Sequence, residues 1–410
     1  MLTPRPGMIN MTLRGYYRDH HRDIQFVPVY FSYERVLEIS SYLDERKGHQ
    51  KKTESLRDLF GVFRYFKLDF GQVSVNFGEP ISLEQFLSMR VDSDLEMIEP
   101  DKHKAICREL GHHIVQGINA AIPVNPTQIL ATLFVHAGHL EIPEERLRRQ
   151  LRFLTTLIEA DQISSIFDQS DAQIIDYFLS TSGAERQLRD GEPMITITPG
   201  GLIDMRYYSN SVTHLFVLPS LIANRLIQEP MIDPEPFFDQ LTVLAPLLDA
   251  ICFSKLAPSA GRINELLEIF DYKTEGQQVP SVRVDSPLAS DLIQIAGIIE
   301  PALKQIALAC ALLKVKPDLL DDLATINERI KTLTITTTAF NPEDLILTER
   351  LIQMLSQTQP INDRKAQDNA NWIKPQAALA TLISEAGQND LQHLALDLIK
   401  ENIQSAATTR

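Results

Sequence analysis

Residues 24–33, IQFVPVYFSY, and residues 72–81, QVSVNFGEPI, decide the fold of the first part of this chain. Each is a short run rich in Val, Ile, Phe and Tyr, bounded by polar or turn-forming residues, as strands are. Pro28 has no N–H to give to a ladder, so the first strand is predicted to be bulged, or at a sheet edge, at that point. The second strand ends at Gly78 and Pro80. Residues 34–45 read as a short helix and RKGHQKKTE (46–54) as a polar loop. ESLRDLFGVFRYF (54–66) then places Leu56, Leu59, Phe60, Phe63 and Phe66 on one helical face, which suits packing on a sheet better than insertion into a membrane interface.

This α/β texture stops near residue 90, and helices with occasional strand pairs follow. Helices are predicted at 101–122, 127–140 and 143–160. PMITITPGGLIDMRYYS (193–209) reads as two strands around Gly200-Gly201. SVTHLFVLPSLIANRLI (211–227) is a helix with a kink expected at Pro219. A looser copy recurs as helices at 234–253 and 259–271, a strand at 279–285 and a long helix at 288–314, with a degraded third copy over 317–360. The alternation suggests winged-helix-like units in series. A polar stretch over 356–374 and closing helices over 375–403 end the chain.

The net charge of −15 argues against a nucleic-acid partner. Residues 1–67 hold 12 Lys and Arg against 8 Asp and Glu, a balance of +4, so the remainder carries −19. A basic start on an acidic protein suits an anionic lipid surface or a phosphorylated substrate, or is a solvated face. Cys107, Cys252 and Cys310 are far apart, odd in number and set among apolar residues, so they read as buried thiols of a reducing compartment. The start has no apolar run of signal-peptide length. The apolar run from Leu292 to Leu313 carries Glu300 and Lys304, so membrane contact is expected to be peripheral.

Catalytic and metal motifs are missing: there is no phosphate loop, no nucleophile elbow and no H-E-x-x-H. His20-His21 read as a loop pair. His112-His113 are helix neighbours whose side chains diverge, and His136 and His139 flank a helix end. No catalytic residue, metal site or cofactor is assigned.

Four segments, in order, resemble the glycerol-3-phosphate acyltransferases of bacteria. The first leads from a P-K-x-G-like turn into a V-P-V-Y-x-x-Y-E strand, matched by Val27, Pro28, Val29, Tyr30, Tyr33 and Glu34. The second is similar to an E-x-R-G-x-x-K-x-x-E-S-L run, with Gly48, Lys51, Glu54 and Ser55 in place. The third is the strand VNFGEPI, and the fourth, YYSNSVTHLFVLPSLIA, resembles a Y-Y-R-N-N-x-x-H-x-x-x-L-P-S-L run. In the fourth, Ser209 and Ser211 stand where the family has arginine and asparagine.

The resemblance implies a mixed α/β remnant of a glycerolipid acyltransferase domain over 1–92. A mainly α-helical region with winged-helix-like units over 100–355 follows, then a polar linker and terminal helices over 356–410. It implies acyl transfer from acyl-CoA or acyl carrier protein to glycerol 3-phosphate. In that reaction a His–Asp pair deprotonates the acceptor hydroxyl, whose own pKa is far above working pH. Neither the family's H-x-x-x-x-D motif nor its E-G-G-R-S-like phosphate-binding motif occurs here. The chain is therefore expected to be a C-terminal fragment, started just past the phosphate motif, inactive alone and served by a separately encoded N-terminal half. Val27, Pro28 and Tyr30 are expected to line the substrate pocket, with Arg5 and Lys51 lending charge to the phosphate. The expected place is the cytoplasmic face of the inner membrane, held peripherally. Removal of half an α/β domain is expected to bare strand edges and an apolar face. Two other readings stay open: a non-catalytic scaffold derived from the family, and an acyltransferase acting on dihydroxyacetone phosphate.

Overall fold

The computed structural model describes residues 4–19, 21–33, 73–91, 98–228, 234–256, 258–270, 287–315 and 373–379, with positions 351, 354 and 382. The chain divides into two units, one over Thr3–Val212 and the other essentially Thr213–Arg410. The helices expected at 34–45 and 54–66, the strand at 279–285, most of the third copy and most of the tail lie outside the described residues.

The first unit opens with helix α1 (Gly7–Arg18) and two short antiparallel pairings. Strand β1 (Gln25–Phe26) pairs with β4 (Ile81–Ser82), and β2 (Val29–Tyr33) pairs with β3 (Val73–Phe77). Phe26 faces Ile81 and Val29 faces Phe77, so two residues on one side oppose three on the other. The ladder is interrupted at Val27-Pro28, where Pro28 has no N–H to give, and the extra residue lies on the facing side, in residues 78–80. Helix α2 (Leu83–Ser88) follows β4, with the Ser82 hydroxyl accepting from the Gln85 N–H. Its Leu83, Phe86 and Leu87 join Leu13, Tyr16 and Tyr17 of α1 in one core. Ile106, Cys107 and Leu110 of α3 (Pro100–Ala120) complete it. Each large side chain so buried is worth about 1.5–3 kcal/mol of transfer free energy.

Helix α4 (Pro126–Ala137) is apolar nearly all round and buried from Pro126 to Phe134, packing on α7 (Pro199–Val212). Asn125 and Gln128 form a capping box at its start, and Gly138 ends it at φ 67°. Then come β5 (Glu141–Pro143), α5 (Glu144–Thr156), α6 (Asp171–Ser182), β6 (Glu185–Arg189) and β7 (Glu192–Thr196). Strand β7 is central in an antiparallel sheet of order β5-β7-β6. Asp190 (φ 51°) and Gly191 (φ 86°) make the left-handed turn between β6 and β7.

One sequence expectation is corrected here. Residues 199–212 are helix, not a second strand: the Thr198 hydroxyl accepts from the Gly201 N–H, and Pro199 takes the first helical position. Pro219 sits in the first turn of α8 (Val217–Gln228), directly after a 3-10 turn at Thr213–Phe216, where its missing N–H costs no hydrogen bond within α8.

In the second unit a 3-10 turn at Thr213–Phe216 leads into α8. Helices α9 (Pro234–Cys252), α10 (Ala260–Ile269), α11 (Pro287–Val315) and α12 (Ile373–Leu379) complete what is described. The stretch Ser290–Lys314 is long and apolar enough to cross a membrane, yet 72% of its apolar window is buried inside the protein. Lys304 and Glu300, the two charges noted in the sequence, pair at 2.8 Å. The buried Ser220 hydroxyl of α8 donates to the Ile295 carbonyl at 2.7 Å, and Asn224 Nδ2 donates to the Ala296 carbonyl at 3.0 Å. Both lie one to two turns before Pro301, whose missing N–H weakens the ladder of α11.

Candidate functional site

The V-P-V-Y segment sits where β1, β2, β3 and α3 meet. Pro28 is buried, and its carbonyl accepts from the Gly78 N–H at 2.8 Å. A Cβ on Gly117 of α3 would stand 2.6 Å from Pro28 Cγ, and one on Gly78 would stand 2.9 Å from the Gly117 carbonyl oxygen. Two glycines thus let a strand bulge and a helix close on one proline ring.

From Pro28 onward the two faces of β2 diverge. Tyr30 and Ser32 turn toward the helices. The Tyr30 hydroxyl is in hydrogen-bond contact with Ser211 of α7 and Gln128 of α4. Burial raises its pKa, which the contact with Ser211 partly offsets. Gln128 Nε2 donates to Ser211 Oγ at 3.0 Å, and Ser211 Oγ donates to the Tyr208 carbonyl at 2.6 Å. Asn125 Nδ2 donates to Ser32 Oγ at 3.2 Å. The capping box of α4 therefore does double duty, holding its helix and receiving β2. Two of the four segments singled out in the sequence, at Tyr30 and at Ser211, meet here. Ser209 is 1% exposed, so an arginine in its place would have to displace core side chains.

The other expected site residues are placed less tightly. Val27 is 47% exposed beside Pro28, and Arg5 is exposed just before α1. Lys51 lies outside the described residues. The opposite face of β2 and β3 is apolar and open, with Phe31 56% and Phe77 72% exposed.

A second polar cluster was not legible in sequence, since its members lie 93 residues apart. His103 Nε2 of α3 is 2.6 Å from Asn10 Oδ1 of α1, and Nδ1 is 3.4 Å from the Tyr17 hydroxyl. Burial, with the charge of Arg14, lowers the His103 pKa, and burial raises Tyr17 to about 12. An amide in place of a carboxylate beside the imidazole makes this a neutral pin between helices, and no base is built. His113 Nδ1 contacts the Glu109 carbonyl oxygen at 3.0 Å, and its ring meets Phe86 edge-on. Among the described residues no group of His, Cys, Asp and Glu is arranged to hold a metal ion. Cys107 and Cys310 are buried, Cys252 is partly so, and none forms a disulfide. Burial pushes Cys252 and Cys310 up to about 12, so they are inert thiols.

Asp23, between α1 and β1, accepts from the Glu84 N–H at 2.9 Å and thereby fixes the start of α2. That bond holds its carboxyl below the usual range. Glu144 heads α5 as a buried carboxylate bound by Arg148 and Arg186, and Arg186 also reaches Asp176 at 2.7 Å.

Comparison with known proteins covers the second, third and fourth of those segments. The family profile of the glycerol-3-phosphate acyltransferase C-terminal region matches residues 42–360. The chain is 33% identical over 276 residues to a glycerol-3-phosphate acyltransferase of Pseudomonas putida GB-1, which covers 65% of this chain and 33% of that protein. A relative of the same name from Pseudomonas paraeruginosa is 35% identical over 261 residues, 62% of this chain and 31% of its own. One from Shewanella pealeana is 28% identical over 328 residues, 78% of this chain and 40% of its own. The chain thus spans about a third of the length of the Pseudomonas relatives it matches. The match over most of its length settles the family: the chain belongs to the glycerol-3-phosphate acyltransferases, as their C-terminal region.

Proposed function

We propose that this chain is part of an enzyme that transfers an acyl group from acyl-CoA or acyl carrier protein to glycerol 3-phosphate, at the start of phospholipid synthesis. The observation that carries this reading is the match over residues 42–360, together with relatives whose name states that activity. The family's catalytic His–Asp motif is absent from this sequence, so the reading requires a catalytic part that bears it, and this stretch alone is expected to release no CoA. Its share of the site is wall. Val27 and Arg5, both exposed, and Lys51 face substrate, with the two cations on the phosphate. Pro28 and Tyr30 shape the same wall from behind, by fixing β2 against the helices.

The chain sits peripherally on the cytoplasmic face of the inner membrane. In support, residues 1–18 contain Arg5, Arg14 and Arg18 and no acid, and Met8 and Met11 are exposed one turn apart on α1. The order α4-β5-α5-α6-β6-β7, with β7 between β5 and β6, supports the winged-helix reading of that part of the first unit. Its third helix, α6, carries Asp171 and Asp176 and no Lys or Arg, which favours a protein contact over nucleic acid.

The test is acyl transfer by this chain combined with the part of the Pseudomonas putida relative outside the match. Arg5→Ala and Lys51→Ala are each expected to raise KM for glycerol 3-phosphate about tenfold at unchanged kcat, the loss of one charge-assisted contact of about 1.4 kcal/mol. An unchanged KM in both variants removes them from the site. Faster turnover of dihydroxyacetone phosphate than of glycerol 3-phosphate shifts the acceptor assignment to the former. Absence of CoA release from a formed complex favours a non-catalytic scaffold.

A further inference from the structure

The helix-facing side of β2 carries two polar pins, and both end at the start of α4. Tyr30 and Ser32 stand two residues apart on that side of the strand, and Asn125 and Gln128 stand three apart where the helix begins. Residues so spaced lie roughly 6–7 Å apart along a strand and 5–6 Å apart on a helix, so the two pairs match. Asn125 Nδ2 donates to Ser32 Oγ at 3.2 Å, and Gln128 is in hydrogen-bond contact with the Tyr30 hydroxyl. Ser211 of α7 closes the second pin into a triangle.

The direction of each bond in the triangle follows by elimination. Ser211 has one hydroxyl hydrogen, and it goes to the Tyr208 carbonyl at 2.6 Å. Toward its other neighbours Ser211 can only accept, from Gln128 Nε2 at 3.0 Å and from the Tyr30 hydroxyl. The Tyr30 oxygen, its hydrogen directed at Ser211, accepts from Gln128 in turn. Gln128 Oε1 is held by the Asn125 N–H at 2.9 Å, so Nε2 supplies both donors. The Tyr30 hydroxyl thus has no hydrogen to offer a substrate, and its role is to hold β2. A slip of β2 by one residue would turn Phe31, now 56% exposed, onto the helices and carry Tyr30 off them. Val27 and Pro28 lie within three residues of Tyr30, so such a shift moves them too.

We infer that Ser211 and Gln128 are positioning residues for glycerol 3-phosphate: through Tyr30 they set the register of β2, and with it the place of Val27 in the substrate wall. This rests on the reading of the chain as part of an acyltransferase, and it adds to that wall two residues from the helical region. Ser211 stands where the family has asparagine, whose amide carries both an acceptor and a donor and can close the same triangle.

The experiment measures steady-state acyl transfer by the full chain combined with the unmatched part of the Pseudomonas putida relative. In parallel it records the fluorine NMR spectrum of the chain alone with fluorotyrosine at position 30. Ser211→Ala is expected to raise KM for glycerol 3-phosphate about fivefold at unchanged kcat and unchanged KM for the acyl donor. A loss of folded protein would instead lower the rate and leave both KM values. Gln128→Glu keeps the acceptor of the capping box but loses both Nε2 donors, and should act as Ser211→Ala does. Tyr30→Phe should match it as well, and Tyr30→Phe/Ser211→Ala should do no more than either change alone, since both open one triangle. Ser211→Thr and Ser211→Asn should keep the parental KM. Thr181→Val, which removes a buried hydroxyl from α6, should alter neither constant. In the chain alone, Ser211→Ala should move the fluorine resonance and Ser211→Thr should not. An unmoved resonance overturns the inference, as does an unchanged KM for glycerol 3-phosphate in Ser211→Ala or a fully additive double variant. CoA release with KM unmoved sinks the positioning role alone. A formed complex without CoA release sinks the acyl-transfer reading, and Ser211 is then left with a purely structural role.

Discussion

Pro28 shows how one residue organises its neighbours. Its missing N–H breaks the ladder, its ring fills the gap between strand and helix, and Gly78 and Gly117 leave room for it. Gly117→Ala should therefore cost about 1–3 kcal/mol by overpacking, because the new methyl meets a rigid ring and not a flexible side-chain end. Thermal unfolding of that variant, lower by several degrees, checks this; an unchanged Tm would show that α3 and the strand are not in close contact. The break in the ladder was legible because proline has no N–H to give it, although the extra residue falls on the facing side, in residues 78–80. The two glycines were not, since Gly117 lies 89 positions from Pro28 and nothing local asks for a glycine there. Likewise Tyr30 was singled out by resemblance, but its partners Gln128 and Ser211 are visible only in three dimensions.

At the scale of elements, sequence reading succeeded where a local signal dominates and failed where two signals compete. Capping residues and apolar periodicity placed most helices to within a few positions. The Gly-Gly after residue 199 was read as a turn between strands, although Thr198-Pro199 is also a helix start, and the helix won because Thr198 caps it. Strand β6 was missed because ERQLR has little β character; the Asp190-Gly191 pair was the available clue to the hairpin. Nothing in sequence marked Glu144 as buried. Burial pushes its carboxyl up, but hydrogen bonds from Arg186 and Arg148 outweigh that and hold it below the ordinary glutamate value. Its contribution is therefore complete above the unfolded value of about 4.5 and is lost as pH falls through the lower folded value. Glu144→Gln should cost about 2 kcal/mol at pH 7, with the gap to the parent closing on acidification below pH 4.5. Denaturant titrations across pH would contradict this if the gap stayed constant.

For the whole molecule, the informative features are a mismatch and an opening. The mismatch is between a family defined by acyl transfer and a sequence without the family's catalytic motif; the opening is an apolar sheet face that, among the described residues, belongs to a two-stranded sheet. Helix α11 carries the opposite lesson: a run apolar enough for a membrane is mostly buried inside the protein, with Glu300 and Lys304 paired and Ser220 and Asn224 bonded to its backbone. The central claim is that this chain is an essential, non-catalytic share of a glycerol-3-phosphate acyltransferase. The measurement that tests it most directly is the rate of glycerol-3-phosphate-dependent CoA release while this chain is titrated into the unmatched part of the Pseudomonas putida relative. The account predicts no release from either component alone and a rate that rises and saturates at one-to-one. Release by this chain alone, or none from a fully formed complex, would contradict it.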